Sequence, residues 1–271
     1  MKSFNRGIYL LPNLMTTAAL FAGFYAVIAG IQGAFLEGAI AIFVAMIFDG
    51  LDGRVARMTN SSSAFGAEYD SLADMVSFGL APALLMFQWA MQDFGKIGWL
   101  AAFIYTAGAA LRLARFNTQV GVADKRYFQG LPSPAAAALL AGLIWMVESN
   151  QMQDAYVPMV GLFLTVFAGL MMVSNIRFHS FKELNLKGKV PFVTLLVVVM
   201  IFVIITIKPA MILFSIMFLY AFSGPVITLV TLRKTRELRR QQHRQAEKNK
   251  NQDEGNERDL GSESQSDTNS K

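Results

Sequence analysis

The chain has 271 residues, 54% of them apolar and only 16% charged, with 22 phenylalanines and 15 methionines. That share of charge lies far below a soluble domain's, and apolar runs of about 20 residues recur, each long enough to cross roughly 30 Å of hydrocarbon as a helix. Zero cysteines exclude disulfides and thiolate chemistry, and the net charge of +5 signals no nucleic-acid partner, because 10 of the 24 lysines and arginines follow Leu232 and the others gather mostly at span ends.

The predicted fold class is therefore all-α, a polytopic membrane bundle of about eight transmembrane helices over residues 1–232, with residues 233–271 a basic and then polar tail. No series of short alternating strands is visible, which excludes a barrel. The first span, Leu10 to Ile31, lacks a small-residue cleavage site and reads as a retained span, not a signal peptide. It is entered through Pro12, which suits a first helical turn, and Asn13, Thr16 and Thr17 place polar groups at one interface. Span two runs from about Ala34 straight into Asp49, and Gly53 and Ala56 then share a face with Asp49 and Asp52, allowing a backbone or ligand to approach closely. After a polar connection from Thr59 to Ser63, span three starts near Ala67 and carries Asp70, Ala73, Asp74, Ser77 and Ala81 down one face before Pro82.

Span four, about Trp99 to Phe116, puts Tyr105, Gly108, Arg112 and Arg115 on one face. A polar loop ending in Gly-Leu-Pro-Ser-Pro punctuates span five, about Ala135 to Val147. Span six covers about Val157 to Val173, and spans seven (about Pro191 to Ile207) and eight (about Ala210 to Leu232) form a hairpin around Lys208-Pro209. Eight spans put both termini on one side. With Lys2 and Arg6 inside, the basic loops with Arg54 and Arg57, Lys125 and Arg126, and Arg177 to Lys189 are cytoplasmic, leaving Lys96 and Lys208 outside. The tail begins RKTRELRRQQHRQ and turns polar, the composition of a charged helix end followed by a disordered segment.

This orientation places Asp49, Asp52, Asp70 and Asp74, with Asn13 and the two span-four arginines, at the cytoplasmic end of the bundle. Asp49 and Asp52 are spaced i, i+3 and Asp70 and Asp74 i, i+4, so each pair shares a helical face. Carboxylates with no nearby histidine or cysteine suit a hard cation, Mg²⁺ or Mn²⁺, that also binds substrate phosphate. Such a site at a membrane surface fits phosphoryl transfer on a lipid, one carboxylate taking the proton of an attacking hydroxyl. A cation or proton-coupled transporter is the rival reading, but Glu37, Asp93, Glu148 and Asp154 at the opposite end look like ordinary interfacial residues and mark no polar path. A third reading has Asp-Arg pairs merely joining helix ends, and four aspartates on two faces make it the minority view.

The run Asp49-x2-Asp52-Gly53-x2-Ala56-Arg57-x8-Gly66-x3-Asp70-x3-Asp74 resembles, at each of its eight fixed positions, the signature of the CDP-alcohol phosphotransferases. The resemblance extends over about Leu10 to Val173. It implies an integral membrane enzyme that displaces CMP from a CDP-linked donor with an alcohol, most simply a homodimer. By position it implies Asp49, Asp52 and Asp70 as metal ligands, about two divalent ions, and Asp74 as ligand or general base. Gly53, Ala56 and Gly66 would give the cytidine nucleotide room, and Arg57 and Asn13 would touch its diphosphate. The segments PNLMT, LRLARFN, FQGLPSPAAA and SNIRFHSFK resemble the membrane-embedded bacterial and archaeal phosphatidylserine synthases of that family. That subgroup implies CDP-diacylglycerol as donor, L-serine as acceptor and a prokaryotic cell membrane as location, with glycerol 3-phosphate or inositol as the alternative acceptors. Arg112, Arg115 and Lys182 are candidates for serine's carboxylate, and equally for positive-inside topology or lipid phosphate contact. His179 reads as interfacial.

Overall fold

The computed structural model describes residues 10–59, 61, 63–118, 127–152, 154–179, 206–228 and 240. Lys2, Arg6, Lys125, Arg126, Lys182, most of predicted span seven and all of the tail but Arg240 lie outside them. The chain divides into two units, Met1–Gly224 and Pro225–Lys271; the site belongs wholly to the first.

Helix α1 (Leu10–Ile31) buries a stripe of small residues, Ala19, Ala22, Gly23, Ala26, Ala29 and Gly30. Helix α2 (Phe35–Met58) answers with Gly38, Ala39, Ala41 and Ala45. With lipid as solvent, close backbone approach and dispersion replace the hydrophobic effect as the force joining helices, so small residues mark the seam. After a tight turn at Gly33, the two helices pack along their length. Helix α3 (Ala64–Asp74) continues through a π-helical turn (Met75–Leu80), α4 (Ala81–Met86), a second π turn (Phe87–Met91) and a 3₁₀ turn (Gln92–Phe94). Together these form one apolar rod of 31 residues, Ala64–Phe94. At 1.5 Å per residue such a rod is about 46 Å long, more than a bilayer core needs, so its acidic first turns can project from the hydrocarbon.

Helix α5 (Lys96–Thr118) leads through strand β1 (Tyr127–Gln129) to α6 (Ser133–Ser149), and α7 (Val157–Val173) leads to strand β2 (Arg177–His179). Helix α6 is buried on every side from Ala136 to Ile144 and is the centre of the core, as a helix apolar all round should be. The last described helix, α8 (Pro209–Thr228), is apolar and largely exposed along its length.

Among the described residues, four helices are long and apolar enough to cross a membrane: α1, the Ala64–Phe94 rod, α5 and α8. Helices α6 and α7 are apolar but shorter, and α2 loses its apolar character at Asp49. The expected helical bundle is present. One departure from an all-α reading is an antiparallel pair of three-residue strands, Tyr127 opposite His179, Phe128 opposite Phe178 and Gln129 opposite Arg177. Three residues cannot display the alternation that identifies a strand, and the partner lies about 50 residues away, so this pairing has no local signal. The helix passes through Pro82 with a widened turn just before it.

Candidate active site

The chain from Asp49 to Asp74 folds as helix end, short loop and helix start. Thr59 closes α2 by donating to the Val55 carbonyl at 2.8 Å, and its hydroxyl meets that of Ser61 at 2.6 Å. Ser63 is the N-cap of α3, accepting the Gly66 N–H at 3.0 Å, which satisfies one of the donors a helix start leaves unpaired. The loop therefore returns the chain against α1 and presents both acidic faces to one space.

There Asp49, Asp70 and Asp74 each offer a carboxylate oxygen, all within 4.8 Å of one another. Asp49 and Asp74 lie within hydrogen-bonding range, as do Asp52 and Asp70. Paired carboxylates at such range need a shared proton or a cation between them. Oxygen-only donors all within 4.8 Å of one another fall inside the span of a hard divalent cation's coordination sphere, so the residues fit such an ion. Asp52 stands a step aside. It is buried, and its Oδ2 accepts the Thr16 hydroxyl at 2.7 Å. Three of the four aspartates thus make the tight cluster, and Asp52 joins it through Asp70.

A cavity of about 310 Å³ opens next to these carboxylates. From α1 it takes Pro12, Asn13 and Thr16, and from α2 Asp52, Gly53, Ala56 and Arg57. Ser61, Ser63, Gly66, Ala67 and Asp70 close the third side. All five residues expected to hold the nucleotide, Asn13, Gly53, Ala56, Arg57 and Gly66, line it. A Cβ on Gly66 would crowd Ser63 Oγ at 3.1 Å, with Asn13 Oδ1 at 3.4 Å, whereas one on Gly53 would make only an ordinary contact with Arg57 Nη1 at 3.5 Å. Thr16, Ser61 and Ser63 were not singled out as ligands by spacing. The ST-rich loop sequence TNSSS was the available signal, and it reads equally well as capping.

Of the expected acceptor residues, Arg112 is the one placed within electrostatic range of the cluster, at Asp74. Arg112 Nη1 donates to the carbonyls of Gln129 at 3.0 Å and Gly130 at 3.2 Å. Arg115 donates from Nη2 to the Val173 carbonyl at 2.9 Å and from Nη1 to Asn175 Oδ1 at 3.2 Å. Arg115 thus caps the C-terminal end of α7, where carbonyls lack intrahelical donors and the dipole favours a cation. Gly130 completes the junction with a φ of +76° and its N–H on the Ile176 carbonyl at 2.8 Å. Arg112 also lies within electrostatic range of Asp74 and Tyr220. The segments LRLARF, FQGLPSP and SNIRF, far apart in sequence, meet at this one corner; Lys182 lies outside the described residues.

At the other end of the bundle, Glu37, Glu148 and Asp154 are tied to neighbouring aromatic donors. Tyr25 donates to Glu37 at 3.0 Å, Trp89 to Glu148 at 2.6 Å and Tyr156 to Asp154 at 2.7 Å. Each has the form of a local interfacial contact.

Residues 9–171 match the CDP-alcohol phosphatidyltransferase family. The CDP-diacylglycerol--serine O-phosphatidyltransferase of Helicobacter pylori (strain ATCC 700392 / 26695) is 36% identical over 196 residues, covering 72% of this chain and 83% of that one. The protein of the same name from Methanocaldococcus jannaschii is 37% identical over 156 residues, 57% of this chain and 70% of its own. That of Saccharomyces cerevisiae is 38% identical over 148 residues, 49% of this chain and 53% of its own.

Proposed function

Because the chain belongs to the CDP-alcohol phosphatidyltransferase family, we propose that it transfers the phosphatidyl group of CDP-diacylglycerol to the hydroxyl of L-serine and releases CMP. The observation that carries this reading is the junction of two sites: a cavity lined by Asn13, Gly53, Ala56, Arg57 and Gly66 shares Asp52 and Asp70 with the aspartate cluster. Relatives that bear the serine-specific name in a bacterium, an archaeon and a yeast favour serine over glycerol 3-phosphate or inositol. The locally paired acidic residues at the far end weigh against transport.

In this mechanism Asn13 and Arg57 bind the donor's diphosphate, and Gly53, Ala56 and Gly66 leave space for the cytidine. Asp49, Asp52, Asp70 and Asp74 would hold Mg²⁺ or Mn²⁺, about two ions, which when bound neutralise diphosphate charge and stabilise the leaving CMP. Asp74 accepts the serine hydroxyl proton as the oxygen attacks the lipid-side phosphorus. One P–O bond forms, the P–O bond to CMP breaks, and no covalent enzyme intermediate is needed. Arg112, and Lys182 from the following basic loop, orient serine through its carboxylate. Positive-inside placement of the basic loops puts the reaction at the cytoplasmic face of the cell membrane, in a bundle of eight spans that functions as a homodimer.

The deciding experiment incubates purified protein, Mn²⁺ or Mg²⁺ and CDP-diacylglycerol with serine, glycerol 3-phosphate or inositol in separate reactions and follows CMP. Serine-dependent CMP and phosphatidylserine are expected. Release with another acceptor but not serine refutes the acceptor; ion flux in proteoliposomes without lipid product restores the transporter.

A further inference from the structure

The turn directly after Asp74 is π-helical, with the Ala81 N–H reaching back five residues to the Val76 carbonyl. Pro82 has no N–H to offer the turn behind it, and a π turn holds one residue more than an α turn, so carbonyls here leave the regular ladder. Two of them are met from another helix. The Tyr105 hydroxyl donates to the Phe78 carbonyl at 3.0 Å, and the Thr106 hydroxyl reaches the Gly79 carbonyl at 3.3 Å while also meeting Ala102 at 3.0 Å. Tyr105 and Phe78 are both fully buried, so water cannot replace the first of these bonds.

Backbone close approaches fix this arrangement from both sides. A Cβ on Gly108 would lie 2.5 Å from the Gly169 carbonyl oxygen, and one on Gly169 would lie 2.8 Å from Tyr105 Cα. Helix α7 therefore presses directly on the backbone that carries Tyr105. Opposite it, Ser77 donates to the Ala19 carbonyl of α1 at 3.0 Å, and a Cβ on Gly23 would come within 2.5 Å of Ser77 Oγ. The π turn is thus held between α1 and α5. One extra residue rotates the helix before it by about 100° relative to the helix after it. Leu85 and Met86, after the turn, are locked into the core, while Asp70 and Asp74 stand before it.

We propose that Tyr105 and Thr106 are positioning residues for the aspartate cluster: by holding the π turn open they set the rotation at which Asp70 and Asp74 meet Asp49. The inference rests on the aspartates forming the cation site of the proposed reaction, and not on serine being the acceptor.

The test uses the full chain in detergent, with Tyr105→Phe, Thr106→Val and the double variant. Thr165→Val is the control, since it removes another buried hydroxyl whose bond lies within its own helix, to Gly161 at 2.7 Å. Mn²⁺ binding is followed by the paramagnetic resonance signal of the free ion, separately from CMP release. The double variant is expected to raise the Mn²⁺ half-saturation and lower kcat by about 10- to 100-fold, as loss of groups that orient ligands does. Its KM for CDP-diacylglycerol should stay within about twofold, and the control should match wild type. Mn²⁺ affinity and kcat within about twofold of wild type in the folded double variant would overturn the proposal, as would equal effects from Thr165→Val. Should the double variant not fold, Thr106→Val alone carries the same comparison, because the Tyr105 bond remains. A wild type that binds Mn²⁺ but makes no CMP with serine overturns the acceptor assignment and leaves the Mn²⁺ comparison intact.

Discussion

The Thr16 hydroxyl donates to Asp52 Oδ2 at 2.7 Å, joining α1 to the acidic end of α2 where both residues are buried. One oxygen of Asp52 is thereby held by α1, and the residue keeps its reach to Asp70. Thr16→Val preserves shape and removes the donor, leaving a buried carboxylate oxygen short of a partner at a cost of about 1 to 3 kcal/mol. Because both residues line the cavity, the cost should appear in donor binding. The KM for CDP-diacylglycerol is expected to rise about tenfold, measured as CMP release against donor concentration at saturating serine. An unchanged KM would show that Asp52 needs no support from α1.

Asp74 belongs to the acidic cluster but not to the cavity lining, whereas Asp70 belongs to both. Replacing each with asparagine should therefore separate chemistry from binding. Asp74→Asn is expected to lower turnover by about 10²- to 10⁴-fold, the range of a lost general base, while CDP-diacylglycerol still binds. Asp70→Asn is expected to weaken both. Equilibrium binding of the donor to each variant, beside single-turnover CMP release, makes the comparison; near-wild-type turnover in Asp74→Asn would remove it as the base.

Much of this was legible because it is local. The bounds of α1 and α7 follow from hydrophobic runs between Pro, Asn and Ser punctuation, and the aspartate pairs follow from i, i+3 and i, i+4 spacing on helices. The cavity-lining residues Gly53, Ala56, Arg57 and Gly66 were readable because they lie within one short stretch. The Thr16–Asp52 bond, the strand pair and the arginine caps on Gln129, Gly130 and Val173 were not readable, since each joins residues that only the packed bundle brings together. How the helix passes Pro82 was not readable either: hydroxyls from α5 meet the carbonyls that the missing N–H leaves, and the helix continues.

Arg112 tests whether the corner formed by three distant segments serves the acceptor. Lysine keeps the charge near Asp74 and can still meet the two carbonyls that Nη1 alone reaches, but it lacks the further guanidinium N–H donors that bind a carboxylate in parallel. Arg112→Lys is expected to raise the KM for serine by about 5- to 10-fold, with the KM for CDP-diacylglycerol unchanged. If thermal stability falls and both KM values hold, Arg112 is a staple between α5 and the β1 turn and takes no part in serine recognition.

Gly130 and Gly33 share a left-handed backbone, with φ values of +76° and +78°, but not their surroundings. A Cβ on Gly33 meets nothing within 4 Å, while one on Gly130 would lie 2.3 Å from the Met172 carbonyl oxygen and 3.0 Å from that of Ser174. Alanine at either position costs about 1 to 2 kcal/mol in backbone conformation. Only at Gly130 does it also collide with the end of α7, where Arg115 finds its acceptor at Val173. Gly33→Ala is therefore expected to lower stability by that backbone cost alone and to keep full activity. Gly130→Ala must displace backbone, which cannot yield as a side chain does, so a loss of about 3 kcal/mol or more is expected, with little folded protein recovered. Melting of the two variants in the same detergent, read by size-exclusion recovery after heating, distinguishes the cases: equal losses would mean that the α7 junction tolerates a methyl group, and that the corner holding Arg112 and Arg115 is looser than its distances imply.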